Sequence, residues 1–218
     1  MLLAIDSATA ACSIALIDGD RLVDEAHALV GRGHAEHLLP MIERLLGDRR
    51  PTAIVVDCGP GSFTGLRVGL AAAHGLAIGW RIPLSGFSSL AVIAAAAQVR
   101  DFGAGEVAED QVAVALHGGH GQIFVQTYDR EPLAARDELR SLAPEAAATI
   151  ISARLVIGSG AQALVAARGS GEAVDALPRA ADVRLLPIAL RSMPPRPLYG
   201  RAPDARPPIA PPIATPAA

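Results

Sequence analysis

Four short segments of the chain combine residue types and spacings that could do chemistry. The first is Asp6-Ser7-Ala8-Thr9, which follows a short apolar run. An aspartate followed by hydroxyls in a turn between strands can hold Mg²⁺ and cradle a phosphate, but the same residues also favour an ordinary turn. The segment therefore leaves two interpretations open: weak contacts to ATP or ADP with Mg²⁺ through Asp6, Ser7 and Thr9, or a plain turn.

The second segment is the glycine-rich turn Gly59-Pro-Gly-Ser-Phe-Thr-Gly65, which joins a predicted strand to a predicted helix. This context suits a phosphate-binding turn. However, the spacing is one residue longer than the dinucleotide fingerprint, and no acidic residue ends a strand about twenty positions later. We favour a structural turn that needs positive φ at one or more glycines and packs its helix closely on a neighbour.

The remaining two segments are His34-Ala-Glu-His37 and Gly86-Phe-Ser-Ser-Leu90. The two histidines share one helix face, but a zinc site needs three or four ligands and no third lies nearby in sequence. We therefore predict contact or capping roles for His34 and His37 and no metal site. Leu90 replaces the last glycine of a nucleophile elbow, so we expect no catalytic serine.

Composition excludes several classes of protein. The chain has no lysine, which excludes a Walker-type lysine and a Schiff-base lysine. The formal charge of -3 gives no basic field for holding nucleic acid unaided. The N-terminus is too short and too soon acidic for a signal peptide, and no apolar run is long enough to span a membrane. We expect a cytoplasmic protein with Cys12 and Cys58 as buried free thiols.

The pattern of apolar residues predicts an α/β protein. In the first hundred residues it predicts strands at 2–6, 12–17, 21–29, 51–58 and 82–85, with helices at 34–46, 64–80 and 87–100. A hinge is predicted at 101–110. Beyond it the pattern predicts strands at 111–116, 122–128 and 154–157, with helices at 144–151 and 162–168.

The helix predicted at 64–80 carries a ridge of small residues. Gly65, Gly69, Ala73 and Ala77 recur every four positions, which permits close approach of another backbone. The helix is apolar around most of its circumference. We therefore expect it to be buried against its own sheet on one side and a partner helix on the other.

Three segments taken together carry a family resemblance. They are Asp6-Ser-Ala-Thr9 with the following strand, His34-Ala-Glu-His-Leu-Leu-Pro40, and Gly59-Pro-Gly-Ser-Phe-Thr-Gly-Leu-Arg-Val-Gly69. In this order and spacing the chain resembles the TsaB (YeaZ) family, the dimerisation subunits of the bacterial tRNA threonylcarbamoyladenosine complex. Pro197-Leu-Tyr-Gly-Arg-Ala-Pro203 resembles the closing motif of that family. The segment from Leu116 to Gln122 departs from the Asp-Ala-Arg-like stretch of relatives.

The resemblance implies an actin-like (ASKHA or ribonuclease H-like) two-lobed α/β fold, with mixed sheets flanked by helices. We expect a first lobe at 1–103 and a second, smaller lobe at 104–190. A closing segment is expected at 191–205, and a disordered tail rich in proline and alanine at 206–218.

The resemblance also implies a function. It predicts a non-catalytic subunit of the complex that makes N6-threonylcarbamoyladenosine at tRNA adenosine 37. The family's catalytic relative, TsaD, carries two metal-binding histidines at the place matching residues 85–90, which hold none here. Implied partners are TsaD, the ATPase TsaE, a second copy when TsaD is absent, and tRNA only through the complex. No cofactor is required.

The partner surface implied by the resemblance is the helix after the glycine turn. The expected interface residues are Gly61, Ser62, Phe63, Thr64, Gly65, Leu66, Arg67, Gly69, Leu70, Ala73, Leu76 and Ala77. A Gly69→Leu substitution is expected to block assembly. Alternatives left open are an actin-like ATP phosphotransferase, a metallopeptidase-like enzyme and an interaction protein unrelated to tRNA.

Overall fold

The first half of the chain forms one mixed five-stranded sheet with three helices. The computed structural model describes residues 1–31, 33–99 and 110–200. The strand order is β3-β2-β1-β4-β5, with β1 to β3 antiparallel and β4 and β5 parallel to β1. The elements are β1 (Leu2–Asp6), β2 (Ala11–Asp18), β3 (Arg21–Leu29), α1 (His34–Leu46), β4 (Ala53–Asp57), α2 (Phe63–Trp80), β5 (Leu84–Phe87) and α3 (Ser89–Val99).

The second half forms another mixed sheet, in the order β11-β10-β6-β7-β8, with β9 also paired to β7. Its central pair, β6 and β7, is an antiparallel hairpin. The elements are β6 (Gln111–Gly119), β7 (Gln122–Asp129), β8 (Ala134–Ala135), β9 (Arg140–Leu142), α4 (Pro144–Ala148), β10 (Leu155–Ile157), α5 (Ala161–Arg168) and β11 (Glu172–Val174). Two 3₁₀ helices follow, at Ala180–Leu185 and Ile188–Arg191.

Both faces of each sheet are covered, which explains the continuous apolar strands. In β1, Leu3 and Ile5 pack toward α1 and α2, while Ala4 packs toward α3. Helix α3 lies between the two sheets and is buried from Ser89 to Ala97. Helices α4 and α5 cover the far side of the second sheet.

The structure confirms the two-lobed α/β architecture and all the predicted helices and strands, with some ends shifted. The predicted hinge at 101–110 lies outside the described residues apart from Asp110, as does the predicted tail at 206–218. In the described part of the chain, no helix combines the length and the apolarity needed to cross a membrane.

The end of the predicted second lobe returns to the first sheet. The Ala180 amide donates to Ser13 Oγ over 2.9 Å, and Arg179 pairs with Glu25 of β3 at 2.8 Å. The predicted closing segment is described as far as Gly200. There Met193 pairs with Gly86 at the β5 edge, so this segment extends the first sheet.

Candidate functional site

The β1–β2 turn and the glycine turn meet because the strands that precede them are neighbours. Strands β1 and β4 are parallel, and Ile5 lies in register with Val56. Asp6 and Asp57 therefore end the two strands side by side. The two turns are also bonded directly, since the Ser62 amide donates to the Ala8 carbonyl over 2.6 Å.

One side of α2 lies so close to the β1–β2 turn that only glycine fits. We call Gly61, Gly65 and Gly69 the inner glycine row. A Cβ at Gly61 would clash with the Ala8 carbonyl oxygen, and one at Gly65 with the Ser7 carbonyl oxygen. A Cβ at Gly69 would meet Ser7 Oγ, which donates to the Gly65 carbonyl over 2.8 Å. The inner glycine row is therefore a requirement of the fold.

Asp6 and Asp57 form a buried carboxyl pair behind these turns. Asp6 Oδ1 accepts from the Ala8 amide at 3.0 Å. Asp57 accepts from the Gly59 amide at 2.7 Å and from Ser89 Oγ at 2.6 Å. Burial raises the pKa of both groups, and the charge of Asp57 raises the pKa of Asp6 further.

The hydrogen bonding of the carboxyl pair is most complete when Asp6 and Asp57 share one proton. The hydrogen bonds from Ser89 and Gly59 favour the ionised form of Asp57 and oppose the rise in its pKa. With both groups ionised, Asp6 Oδ2 would have no hydrogen-bond donor among the residues that the structure describes. A proton kept on Asp6 and donated to Asp57 removes that defect and the repulsion between the two charges.

The opposite side of α2 also carries small residues, but in open space. Ala71, Gly75 and Gly79 are exposed and recur every four positions; we call them the outer small-residue row. It starts two positions after Gly69, about 200° around the helix. A Cβ at Gly75 or Gly79 would meet nothing within 4 Å in the described part of the chain.

At the N-terminal end of α2, the outer side of the helix carries a cluster of two aromatic rings and one cation. The Phe63 and Tyr199 ring centroids are 6.1 Å apart with a 35° interplanar angle. Arg67 Cζ lies 3.5 Å from the Phe63 ring centroid, and Arg67 Nη2 donates to Tyr199 Oη over 3.4 Å. This cluster borders a cleft between the lobes, whose other wall is the β6–β7 turn.

Comparison with known proteins identifies the family. A family model described as TsaD: tRNA N6-adenosine threonylcarbamoyltransferase matches residues 28–178. The TsaB protein of Escherichia coli is 36% identical over 60% of this chain and 55% of its own length. An uncharacterized protein of Mycobacterium bovis is 33% identical over 94% of this chain and 93% of its own. The chain belongs to the TsaB (YeaZ) family.

The solved structures agree with this assignment. YeaZ from Pseudomonas aeruginosa superposes with a TM-score of 0.74 and 28% sequence identity, over 91% of this chain and 98% of that one. The fold is therefore the YeaZ fold that the motifs implied. In the sequence comparison, the chain spans about half the length of the curated TsaB proteins it matches, with 55% of the E. coli protein and 42% of the Haemophilus influenzae protein covered.

The structure corrects the residues assigned to the TsaB-type partner surface. Leu66, Leu70 and Ala73, predicted to fill a partner contact, are 3%, 6% and 0% exposed because they pack on the chain's own sheet. Gly65, Gly69 and Ala77 are buried with them. Of the remaining predicted interface residues, Ser62, Phe63, Thr64 and Arg67 are exposed, and Gly61 and Leu76 are partly buried. Gly69→Leu would therefore act on the fold before it acted on assembly.

The three residues predicted to contact a nucleotide do not lie together at the cleft. Asp6 and Ser7 are buried and form hydrogen bonds within the protein, so neither faces the cleft. Of the three, only Thr9 lines the cleft, and its Oγ1 accepts from the Ala11 amide at 3.3 Å. Sequence reasoning missed Asp57, whose one signal was its place at the end of an apolar strand, as for Asp6.

The two histidines of α1 have different surroundings. His34 is buried, and its Nε2 lies 3.3 Å from the Ala11 carbonyl, which ties the helix start to β2. His37 is exposed, and the N-cap is Gly33 without a side-chain hydrogen bond. Over residues 1–31, 33–99 and 110–200, no three His, Cys, Asp or Glu side chains are grouped to hold a metal ion.

Proposed function

We propose that this chain is a non-catalytic subunit of the machinery that makes threonylcarbamoyladenosine at adenosine 37 of tRNA. In this role it pairs with a catalytic relative of the TsaD type and supports threonylcarbamoyl transfer by that relative. The match to the TsaD family model and the similarity to TsaB proteins support the pathway. The surface of α2 supports the mode of action.

The outer small-residue row is the observation that carries this proposal. A glycine inside a helix costs roughly 1 kcal/mol relative to alanine. Within the described residues, neither Gly75 nor Gly79 gains a close contact that would offset this cost. A partner helix that approaches the row closely gives both glycines a function, because a missing Cβ lets two helix backbones come together.

The flanks of the row fit a protein contact as well. Ile78, next to the row, is 76% exposed, and Leu39 of the adjacent helix α1 is 51% exposed. Exposed large apolar side chains on two neighbouring helices are what a protein-interaction surface offers. In the absence of the catalytic relative, the same face serves a second copy of the chain, and the ATPase TsaE joins the assembled pair.

The hydroxyls near the glycine turn have structural partners, which supports a non-catalytic role. Ser89 Oγ donates to Asp57, and Ser85 Oγ donates to the Arg191 carbonyl over 2.9 Å. Ser88 Oγ accepts from the Leu90 amide at 3.2 Å. The protein needs no cofactor of its own in this account, acts in the cytoplasm and meets tRNA through the complex. Burial of Asp6 and Ser7 weighs against the alternative of an actin-like phosphotransferase.

A reconstituted reaction tests this function. The mixture contains the catalytic relative, the ATPase subunit, tRNA, ATP and threonylcarbamoyl-adenylate, with and without this chain. We expect threonylcarbamoylated tRNA only when the chain is added, and none from the chain alone. Equal modification without the chain, or modification by the chain alone, would contradict the proposal.

A further inference from the structure

The closing segment runs along one flank of α2, beside the outer small-residue row. The His74 ring donates through Nε2 to the Pro195 carbonyl over 3.1 Å. Further along the segment, Tyr199 contacts Arg67, which lies about two helical turns before His74. The segment therefore follows the helix from its middle back toward its start. Arg67 and His74 lie roughly 80–100° around the helix from Gly75, so this flank adjoins the row.

Backbone contacts hold the closing segment against the first lobe. The Leu198 amide donates to the Cys58 carbonyl over 2.7 Å, and Cys58 Sγ donates to the Pro194 carbonyl over 3.7 Å. A Cβ at Gly86 would collide with Cys58 Sγ and crowd the Pro194 carbonyl oxygen, so the segment needs a glycine beneath it. Prolines at 194, 195 and 197 also fix the backbone φ of the segment. The segment is therefore a rigid part of the surface beside α2.

The exposed side chains that α2 and the closing segment share on this flank are aromatic or nitrogen-bearing. We call them the cationic flank: Phe63, Arg67, His74, Arg196 and Tyr199. Neither α2 nor the stretch 191–200 contains an aspartate or a glutamate. Within the described residues, Arg67 and Arg196 form no ion pair with a carboxylate. Positive charge gathered on one face of a chain with a net charge of -3 complements an anionic group on a partner.

The Arg67 guanidinium is already ordered for such a contact. It lies over the Phe63 ring and donates to Tyr199 Oη, so little side-chain entropy remains to be lost on binding. Phe63 is 56% exposed and Tyr199 is 53% exposed, which leaves two large side chains uncovered next to the cation. Arginine and tyrosine are among the residue types that dominate the binding energy of protein interfaces. The cationic flank therefore has the composition of a protein-binding surface.

The position of the flank favours a protein over a nucleic acid. Ile78, which is 76% exposed, lies between Gly75 and Arg67 around the helix, so the apolar surface of the outer small-residue row continues into the flank. A helix packed on the row would bring neighbouring parts of its own protein over the flank, because packed helices lie about 8–10 Å apart. Proteins that bind nucleic acid through phosphates use roughly 6–10 such contacts, more than Arg67 and Arg196 can supply.

We propose that the cationic flank binds an acidic segment of the protein that covers the outer small-residue row. Carboxylates of that segment pair with Arg67 and Arg196, and its apolar side chains cover Phe63 and Tyr199. This inference rests on the proposed function, in which the protein seated on the row is the catalytic relative. It makes the closing segment part of the interface, and it makes opposite charge a determinant of which partner is accepted.

Because the chain has no lysine, one introduced lysine can report this contact. Arg196→Lys keeps the positive charge and supplies an amine, which a carbodiimide couples to a carboxylate that lies against it. We expect Arg196→Lys to form an amide cross-link to an aspartate or glutamate of the catalytic relative. Arg140→Lys, the same change at an exposed arginine of the second lobe, should form none, and the wild-type chain measures the background from the N-terminal amine. A complex that forms without this cross-link at Arg196→Lys would overturn the proposal.

Binding measurements with the full-length chain give the strength of the contact. Arg67→Gln should raise the dissociation constant for the catalytic relative about tenfold and Arg196→Gln a few-fold, whereas Arg140→Gln should leave it unchanged. The variant with both Arg67→Gln and Arg196→Gln should also lose most of the salt dependence that wild-type binding shows between about 0.05 and 0.5 M NaCl. Thermal unfolding of each variant checks that these exposed positions leave the fold intact.

The outcomes separate this inference from the proposed function. If the wild-type chain binds the catalytic relative and both glutamine variants bind equally well, the inference alone is overturned. Unchanged affinity for the relative together with a raised KM for tRNA would also overturn it, because the flank would then face nucleic acid. If the wild-type chain does not bind the relative at all, the proposed function and this inference fail together.

Discussion

The two sides of helix α2 carry small residues at the same four-residue spacing but under opposite constraints. The inner glycine row is pressed against the backbone of Ser7 and Ala8, and any Cβ there would clash with the chain itself. The outer small-residue row faces open space at Gly75 and Gly79 within the described part of the protein. A glycine required by the fold is therefore identified by what it touches. A helical glycine that touches nothing instead indicates a contact outside the chain.

Substitutions in the inner glycine row should reduce the stability of the protein the most. Gly65→Ala places a methyl group against the Ser7 carbonyl oxygen, which the neighbouring strand holds in place. We expect the free energy of unfolding to fall by about 3 kcal/mol or more, because neither backbone can move without repacking the turn. Urea unfolding of the isolated chain measures this change. A loss below about 0.5 kcal/mol would show that the two turns are less tightly fitted than the structure indicates.

Substitutions in the outer small-residue row should weaken assembly with the catalytic relative the most. Gly75→Leu adds a large side chain where the chain itself leaves room, so the isolated protein should stay folded. We expect the dissociation constant for the catalytic relative to rise at least about 100-fold, equivalent to roughly 2.7 kcal/mol. Ala135→Leu, at an exposed position of the second lobe, is the matched control. Unchanged affinity of Gly75→Leu in a surface-based binding assay would remove the outer row from the interface.

The carboxyl pair behind the inner row should make stability depend on pH. The folded pKa values of Asp6 and Asp57 are raised above that of an unfolded aspartate, so the folded state binds more protons. The contribution of this pair to stability is therefore largest in acid and declines as pH rises above about 4 through the folded values. We expect this contribution to fall by a few kcal/mol, on the order of 3 kcal/mol from Asp57 alone, between acid and neutral pH.

Asp6→Asn provides the control for this pH dependence. Its amide can donate to Asp57 and its oxygen can accept from the Ala8 amide, so the geometry is preserved without a titrating proton. We expect urea unfolding of this variant to depend less on pH than that of the wild type. An equal slope in both proteins would show that the pair does not share a proton.

Alanine substitutions should change the free energy of unfolding the least, but with opposite signs in the two rows. Gly75→Ala and Gly79→Ala should each raise the free energy of unfolding of the isolated chain by about 0.5–1 kcal/mol, because alanine favours the helix and meets no neighbour. Gly69→Ala should lower it, because its methyl group would meet Ser7 Oγ. Thermal unfolding of the three variants distinguishes these signs. A loss of stability at Gly75 and Gly79 would mean that their space is not free.

The sequence was sufficient for the longer elements of the fold, but not for the short strands β8, β9 and β11 or for which face of α2 is buried in the chain. Alternating and helical apolar patterns predicted the strands and helices, because burial on both sheet faces leaves a strong signal. Spacing alone could not assign the rows of α2, since residues 65, 69 and 73 and residues 71, 75 and 79 share one period. The pairing of Asp6 with Asp57 was equally hidden, because it depends on the parallel register of β1 and β4.

Maleimide footprinting of the outer small-residue row measures whether the catalytic relative covers it. The chain's own cysteines are buried, and burial raises the pKa of Cys12 to about 11 and that of Cys58 to about 12, so a maleimide should label neither quickly. An Ala71→Cys variant adds one exposed thiol in the outer row, and Ala135→Cys adds one in the second lobe. Our account predicts that the catalytic relative slows labelling of Ala71→Cys and leaves Ala135→Cys unchanged. Equal labelling rates for Ala71→Cys with and without the bound relative would contradict it.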